Sequence, residues 1–302
     1  MNPSEPTTDF EIFDRRLVRR HRDRAAAGFS DHAFLKRDVG RRLIERLMEI
    51  HRRFTYGLDL GSHTGALAEA LKSTGVCPEV VALDLSPAML AAAGGPRVAA
   101  SEDLLPFAPN AFDLVVSSLA LHWVNDLPGA LIQICQVLKP DGLFLAAMFG
   151  GETLKELRTA WLEADIETTG GATPRISPFV DVRDAGNLLQ RAGFALPVAD
   201  VETLTVTYPN VVALMRDLRG MGEANALYAR HRGTLGKRTL AALQASYRRL
   251  AGGPDGRLPV TFQIVWMTGW APHPSQPKPL RPGSARARLA DALGTIERPL
   301  KD

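Results

Sequence analysis

The sequence predicts an α/β fold in which a parallel sheet carries helices on both of its faces. Between residues 55 and 150, short apolar runs alternate with segments whose apolar residues recur at helical spacing, which is the pattern of strands joined by crossover helices. Turns that contain glycine or proline separate these segments. The length of 302 residues and the hydrophobic content of 45% are sufficient for one large core with additional elements.

The central elements follow one another in strand–helix order. Pro87 favours the first turn of a helix, where its missing N–H is not needed, and Lys139–Gly142 has the composition of a turn. The predicted strands are Tyr56–Leu60, Val80–Leu85, Val98–Ala100, Phe112–Leu121 and Leu143–Phe149, and the predicted helices between them are Gly65–Ser73, Pro87–Ala93 and Leu127–Leu138.

The regions outside this core differ from it in composition. Residues 1–9 are predicted to be disordered, and residues 10–54 are predicted to form a basic helical cap. Residues 273–302 are rich in proline and arginine and are predicted to be a disordered tail. Residues 151–272 are predicted to contain helices at Glu152–Glu167, Asp181–Ala192, Val211–Leu218 and Thr239–Leu250, and strands at Thr203–Tyr208 and Val260–Trp270.

The net charge of +3 is unevenly distributed, because basic residues concentrate in residues 15–53. Two interpretations remain open: solvated faces of two helices, or a surface for an acidic partner or an anionic membrane. Aromatic residues do not interleave with the basic ones, so no nucleic acid partner is predicted. The basic residues are Arg15, Arg16, Arg19, Arg20, Arg22, Arg24, Lys36, Arg37, Arg41, Arg42, Arg46, Arg52 and Arg53.

Composition also argues against several classes of protein. Cys77 and Cys135 are the only cysteines, which argues against a disulfide framework and a cysteine zinc site. The seven histidines are scattered, and no metal site is predicted. The sequence contains no apolar run of about 18 residues, the length that would predict a transmembrane segment. The acidic N-terminus is unlike a secretory signal. A cytoplasmic protein is predicted, with peripheral attachment to the inner face of the cytoplasmic membrane as the alternative.

A glycine turn connects the first predicted strand to the first predicted helix. Asp59, Gly61, Ser62 and Gly65 have the spacing D-x-G-x-x-x-G, and His63 occupies the position where another glycine would complete a G-x-G-x-G run. Glycine lets the backbone pass close to a ligand, and the helix start beyond it offers free N–H groups. The sequence therefore predicts a nucleoside-binding turn, although a purely structural turn has the same composition.

An acidic residue ends the second predicted strand. Asp84 lies 19 residues beyond Gly65 and is followed by Leu85, close to the spacing at which an acid accepts hydrogen bonds from both ribose hydroxyls. A helix cap is the alternative, but Ser86 can fill that role. A ribose-binding role for Asp84 is therefore predicted.

Polar residues also follow the third and fourth predicted strands. Ser101, Glu102 and Asp103 come where an adenine would lie, and Ser117 lies in the fourth strand. A polar surface loop is the alternative for the first three. His122 follows the fourth strand, whose carboxyl end faces the ligand cleft in such sheets. It is the candidate catalytic base or substrate contact, and a packing role beside Trp123 is the alternative.

Together these segments resemble the class I S-adenosylmethionine-dependent methyltransferases, in the branch that contains quinone- and biotin-pathway enzymes. A further resemblance, to the mitochondrial complex I assembly factor 5 family and its bacterial relatives, extends over nearly the whole chain. The segments that carry it are Ile12–Arg15, Ser117–Pro128, Met148–Gly151, Ile176–Phe179 and Gly220–Glu223.

The resemblance implies a Rossmann-like sheet of seven strands, the last antiparallel, with a cofactor cleft roofed by the N-terminal helices. S-adenosylmethionine is the implied cofactor. Residues 55–150 would be its binding core, and residues 151–272 the substrate side. The cofactor-binding candidates are then Asp59, Gly61, Ser62, Gly65, Asp84, Leu85, Ser101, Glu102, Asp103 and Ser117. His63 departs from the glycine run and would crowd the cofactor's amino-acid moiety unless its side chain points outward.

The resemblance leaves the reaction open. A class I methyltransferase of the assembly-factor type is the main prediction. The assembly factor family is known for arginine hydroxylation of an iron–sulfur subunit of respiratory complex I, which is the first alternative. A malonyl-acyl-carrier methyltransferase and a non-catalytic assembly chaperone are the others. The implied partner is accordingly a complex I subunit or an acyl-carrier protein.

Overall fold

The computed structural model describes residues 11–277 and 289–296. Within them, seven strands form one sheet in the order β3-β2-β1-β4-β5-β7-β6. Strands β1 to β5 pair with one another in parallel, whereas β7 runs antiparallel to both β5 and β6. The predicted α/β sheet with a final antiparallel strand is therefore confirmed. The strands are β1 Tyr56–Leu60, β2 Glu79–Asp84, β3 Arg97–Ala99, β4 Phe112–Ser118, β5 Leu138–Phe149, β6 Ala195–Tyr208 and β7 Leu258–Trp270.

Helices cover both faces of the sheet, because alternate residues of each central strand point to opposite sides. Leu114 and Val116 of β4 contribute to an apolar core on one face, and Val115 contributes to the core on the other. Short 3₁₀ turns lie at Ala26–Gly28 and Leu121–Trp123. The helices are α1 Arg15–Ala25, α2 Phe29–His32, α3 Phe34–Glu49, α4 Ala66–Ser73, α5 Pro87–Leu90, α6 Leu127–Val137, α7 Lys155–Thr169, α8 Val182–Arg191, α9 Val211–Gly220, α10 Lys237–Ala251 and α11 Leu289–Leu293.

Two predicted boundaries around β4 and β5 were wrong. Lys139–Gly142 does not end an element but lies inside β5. The pairing with β4 skips from Leu138 to Leu143, so these four residues form a bulge. The residues with the composition of a turn form that bulge, in which Asp141 has φ +64°. The strand predicted to reach Leu121 ends instead at Ser118, since Leu119 takes a positive φ of +50°.

The two predicted disordered ends fall largely outside the described residues. Residues 1–9 lie outside them, as do residues 278–288 and 297–302 of the predicted tail. The described part of the tail includes α11, a helix that the composition did not predict. None of the helices among the described residues is long and apolar enough to cross a bilayer.

The basic N-terminal segment contains the helices α1, α2 and α3, and neither interpretation of its charge describes it fully. Arg46 forms an ion pair with Asp200 at 2.7 Å, and Arg42 pairs with Glu202, so the segment is tied to β6. Arg22 is buried, with a side chain that is 2% exposed. Part of the apparent basic surface therefore lies inside the protein.

Candidate functional site

The glycine turn between β1 and α4 brings the backbone against the end of β4. Gly61 has φ +72°, and a Cβ placed on it would lie 2.1 Å from the Cβ of Ala120. Gly65 has φ +78°, and a Cβ there would lie 2.7 Å from the Cβ of Ala93. Both positions require glycine, for its left-handed backbone and for the lack of a side chain.

Replacing Gly61 by alanine is expected to lower the free energy of unfolding by about 3 kcal/mol, because the new methyl group overpacks the turn and strains its backbone. Urea unfolding measures the loss. Gly151→Ala is the matched control, since nothing lies within 4 Å of a Cβ at that position. Equal stability of the two variants would contradict the close approach.

A cavity of about 550 Å³ lies between the glycine turn, α3 and α4. Ser62 and Ser118 line it, and among the described residues their buried Oγ atoms have no hydrogen-bond partner. Buried polar atoms without a partner are costly unless a ligand or water completes them. The cavity therefore has polar positions suited to a bound ligand.

Asp59 lines the same cavity and is buried at the end of β1. Its Oδ2 accepts a hydrogen bond from the Ala68 N–H at 3.1 Å, which ties the strand to α4. Burial raises the pKa of Asp59 from 3.8 to about 7, because the charged form loses its solvation.

The raised pKa of Asp59 predicts a pH-dependent stability. The folded state binds this proton more tightly than the unfolded state, so the free energy of unfolding falls, by up to about 4 kcal/mol, as pH rises from 3.8 to about 7. Asp59→Asn removes this titration. We expect its melting temperature to exceed that of the wild type by a margin that grows as pH rises from about 4 to about 7 and is level above that. The exposed Asp126→Asn is the control, and a margin that stays constant would contradict the prediction.

The second half of the predicted site contains two buried carboxylates. Asp84 at the end of β2 accepts from the backbone N–H groups of His63 at 3.0 Å and Ser86 at 2.8 Å. Nη1 of Arg22 lies 3.1 Å from Asp84 Oδ2 and 2.6 Å from Glu102 Oε1. Arg15 also pairs with Glu102. Although burial opposes the charged form, Arg22 and Arg15 hold the pKa of Glu102 at about 2.

The remaining predicted cofactor residues lie in different surroundings. Ser101 and Asp103 are joined by a hydrogen bond of 2.9 Å in the loop after β3, beside Glu102. Leu85 packs against the apolar cluster that contains Trp123. Ser117 is turned into the sheet, where its Oγ donates to the Leu60 carbonyl at 2.7 Å. The structure thus brings the predicted residues to one edge of the sheet, except that the Ser117 hydroxyl is used between strands.

His63 points away from the Asp84 carboxylate that its backbone contacts. Its ring stacks on Phe29 with centroids 5.4 Å apart, and its Nε2 accepts from Nζ of Lys36 at 2.9 Å. Burial, with the nearby cation Lys36, holds the pKa of His63 well below its usual value. The ring is therefore neutral and acts as an acceptor toward α3.

Lys36 belongs to a buried polar chain that reaches the other side of the site. Its Nζ donates to Glu223 Oε1 at 2.6 Å and to the Leu119 carbonyl at 3.0 Å. Glu223 Oε2 accepts from His122 Nε2 at 3.0 Å and from Trp123 Nε1 at 2.8 Å. Since a carboxylate only accepts, His122 carries its proton on Nε2, and its buried Nδ1 has no partner among the described residues.

The charged side chains in this series of buried hydrogen bonds stabilise one another. Burial lowers the pKa of His122 in spite of Glu223, so the ring is neutral at pH 7. Burial alone would raise the pKa of Glu223, but Lys36 and His122 hold it well below its usual value. Glu223 is therefore a carboxylate that accepts three hydrogen bonds.

An aromatic pocket of about 270 Å³ opens beside Glu223. His122 lies directly behind its wall, with ring centroids 4.6 Å from Phe149 and 5.8 Å from Phe179. The pocket is lined by aromatic rings, the Glu223 carboxylate and several basic side chains. Its polar and aromatic lining includes Trp123, Phe149, Trp161, Arg175, Phe179, Arg219, Glu223, Arg230, His231 and Phe262.

No group of three histidine, cysteine, aspartate or glutamate side chains is placed to hold a metal ion in the part of the chain that the structure describes.

Comparison with known proteins identifies the family. A family described as Methyltransferase domain matches residues 58–146. The chain is 44% identical over 287 residues to the mitochondrial arginine-hydroxylase NDUFAF5 of Danio rerio. The aligned region covers 93% of this chain and 89% of that protein. The chain belongs to the NDUFAF5 family.

The NDUFAF5 family has relatives with other names. This chain is 40% identical over 278 residues to the malonyl-[acyl-carrier protein] O-methyltransferase of Halorhodospira halophila. The aligned region covers 89% of this chain and 91% of that protein. Its fold is similar to that of the YcgJ protein from Bacillus subtilis, with a TM-score of 0.54 and 16% identity over 76% of this chain and 98% of that one.

S-adenosylmethionine is the cofactor of this methyltransferase domain, and the residues fit it in two parts. The glycine turn and the unpartnered hydroxyls of Ser62 and Ser118 border an open cavity. Asp84 and Glu102 offer carboxylates suited to the ribose and adenine, but Arg22 engages both. The donor set on the glycine-turn side therefore fits the cofactor, whereas the Asp84 carboxylate is paired with Arg22.

Three residues of the site were not assigned a role from the sequence. Arg22 and Lys36 were counted only as members of the basic segment. Glu223 lies in the Gly220–Glu223 segment that carried the family resemblance, without a function of its own. A buried position for these charges depends on partners far along the chain, so the local pattern holds no sign of it.

Proposed function

We propose that this protein is an S-adenosylmethionine-dependent methyltransferase whose acceptor is a side chain of a respiratory complex I subunit. One observation carries the proposal: the aromatic pocket has the Glu223 carboxylate in its lining, and Glu223 is linked through Lys36 to the glycine turn. Aromatic faces and a carboxylate together recognise a cationic side chain such as arginine. S-adenosylmethionine would supply the activated methyl group.

The pocket already contains a guanidinium bound in this manner. The guanidinium carbon of Arg175 lies 4.6 Å from the centroid of the Trp161 ring, and its Nη2 is 2.7 Å from Asp165. This internal pair supports the view that the aromatic wall suits an arginine acceptor.

The residues of this chain would orient the acceptor and move its proton. Glu223 would contact the guanidinium and take up its proton. Neutral His122, behind the pocket wall, would position the Glu223 carboxylate through the hydrogen bond from its Nε2, so in this proposal its predicted role is that of a positioning residue. The aromatic rings in the lining would shield part of the acceptor from water.

The test is a mass comparison of complex I subunits from cells with and without this gene. Methyl transfer requires a peptide that is about 14 Da heavier in the wild type, and tritium from labelled S-adenosylmethionine must appear in it. An unlabelled, unchanged set of subunits would refute the proposal. We also propose a cytoplasmic location at the inner face of the membrane, which cell fractionation tests.

Arginine hydroxylation is the second candidate, and the 44% identity to proteins named arginine-hydroxylase NDUFAF5 favours it. The acceptor would be the same, but this reaction would need an external oxidant such as dioxygen together with a two-electron reductant. The peptide would gain about 16 Da, the mass of the one oxygen atom inserted, and the other oxygen atom would leave as water. The same mass comparison therefore separates the two reactions.

A carboxylate acceptor on an acyl-carrier protein is the third candidate. The basic side chains in the pocket lining, Arg219, Arg230 and His231, favour it, because they would attract an anionic group. Relatives named malonyl-[acyl-carrier protein] O-methyltransferase add support. Incubation of the purified protein with malonyl-acyl-carrier protein and labelled S-adenosylmethionine tests it, with a methyl ester as the required product.

A further inference from the structure

The guanidinium of Arg22 lies on the carboxylate that the fold would use for the cofactor's ribose. Arg22 extends from α1 into the interior, and its side chain is 2% exposed. Its Nη1 is 3.2 Å from Asp84 Oδ1, 3.1 Å from Asp84 Oδ2 and 2.6 Å from Glu102 Oε1. A part of the N-terminal cap thus occupies the edge of the sheet where a nucleoside would bind.

The hydrogen bonds to Asp84 leave no position for a ribose. A carboxylate has about four acceptor positions. The Ser86 N–H and Arg22 take those on Oδ1, and the His63 N–H and Arg22 take those on Oδ2. The two backbone donors are fixed by the fold. Hydroxyl groups that donate to Asp84 therefore need the positions that Arg22 holds.

The contact between Arg22 and Asp84 has a hydrogen-bond geometry weaker than that of a bidentate pair. Arginine binds carboxylates most strongly when both ends of its fork donate in parallel. Here Nη1 alone serves three carboxylate oxygens, while Nη2 is buried without a partner among the described residues. An unsatisfied buried donor weakens the contact relative to a bidentate pair.

Arg22 has little room to withdraw while α1 stays where it is. A Cβ on Gly222 would lie 3.3 Å from its Cγ, so the backbone of that segment lies close to its stem. Arg15, the first residue of α1, is bound to Glu102 and to the Trp123 carbonyl. The α1 helix ends at the 3₁₀ turn Ala26–Gly28, where a Cβ on Gly28 would meet nothing within 4 Å.

We propose that Arg22 closes the cofactor site in the free protein and competes with the ribose of S-adenosylmethionine for Asp84. Cofactor binding displaces the guanidinium and moves α1 outward about the turn at Ala26–Gly28. This inference concerns binding of the cofactor and holds whichever acceptor the enzyme uses. Arg22 thereby sets the affinity, since only the open fraction of the protein binds.

Isothermal titration with S-adenosylhomocysteine tests the competition. Arg22→Met keeps the bulk of the stem and removes the guanidinium, and we expect it to bind about tenfold more tightly than the wild type. Arg42→Met is the matched control, because Arg42 of α3 pairs with Glu202 of β6 and not with Asp84, and its affinity should equal that of the wild type. Unchanged or weaker binding by a folded Arg22→Met would overturn the proposal.

Hydrogen exchange of the wild-type protein provides a second measurement that needs no variant. The amides of α1 are expected to exchange faster with saturating S-adenosylhomocysteine than without it, because the helix leaves its packed position. Slower or equal exchange would mean that α1 stays on the bound cofactor, and the proposal would fail. Neither result bears on methyl transfer, so the proposed function is tested separately.

Discussion

Replacing Asp84 by asparagine is expected to weaken the binding of S-adenosylhomocysteine at least a hundredfold. Two ribose hydroxyls would each lose a hydrogen bond to a charged acceptor, and each such bond contributes about 1.5–3 kcal/mol. The asparagine amide also turns its N–H₂ group toward the backbone N–H of either His63 or Ser86. Each of these neighbours is a donor, so one contact becomes repulsive in either orientation.

Titration calorimetry measures the loss, with Asp126→Asn as the control. Asp126 is exposed at the start of α6, where its Oδ1 accepts from the Gly129 N–H at 2.8 Å, and its substitution should leave the affinity unchanged. Wild-type affinity in Asp84→Asn would mean that Asp84 only anchors Arg22. Since Arg22→Met is expected to shift the affinity in the opposite direction, the two variants together separate ribose binding from a structural ion pair.

The same variant tests whether the protein is a chaperone without catalysis. A protein that needs no cofactor would support normal levels of complex I with Asp84→Asn in place of the wild type. An enzyme would not, provided that the variant accumulates to the same level. Immunoblots of the variant and of assembled complex I in the same cells give both quantities.

The sheet was predictable because its signals are local. Alternating apolar runs and turns specify parallel strands with helices between them, and side chains that follow such strands meet at one edge. From the sequence alone, that rule predicted that Asp59, Asp84 and Glu102 lie in one region. The bulge at Lys139–Gly142 was missed because a turn composition does not reveal whether pairing resumes beyond it.

The electrostatic part of the site was not predictable in the same manner. Arg22 meets Asp84 across 62 residues, and Lys36 meets Glu223 across 187. A run of basic residues looks solvated when its acidic partners are distant. The fate of each charge depends on which helix face packs inward, and α1 buries Leu17, Val18 and Arg22 together. The one feature that could have indicated burial is the position of Arg22, a single charged residue in the apolar stripe of α1.

Replacing Glu223 by glutamine is expected to lower the free energy of unfolding by about 3–5 kcal/mol, because it leaves the Lys36 ammonium buried without a counter-charge. Lys36 is 7% exposed and Glu223 is 6% exposed, so solvent cannot replace the lost carboxylate. The pKa of Glu223 is held well below 4.5 in the folded protein. Its stabilising contribution is therefore complete above that value and is lost as pH falls through the folded pKa, so the difference between variant and wild type should shrink in acid.

A double-mutant cycle in urea distinguishes this coupling from a general packing defect. Lys36→Met combined with Glu223→Gln removes both charges, and much of the lost stability should return because no buried charge is left unpaired. Glu202→Gln is the control: its pair with Arg42 is partly exposed, at 34% and 30%, and its loss should cost less than about 1 kcal/mol. If the double variant is as unstable as the sum of the single ones, Lys36 and Glu223 do not stabilise each other. The link between the glycine turn and the aromatic pocket would then have no energetic basis.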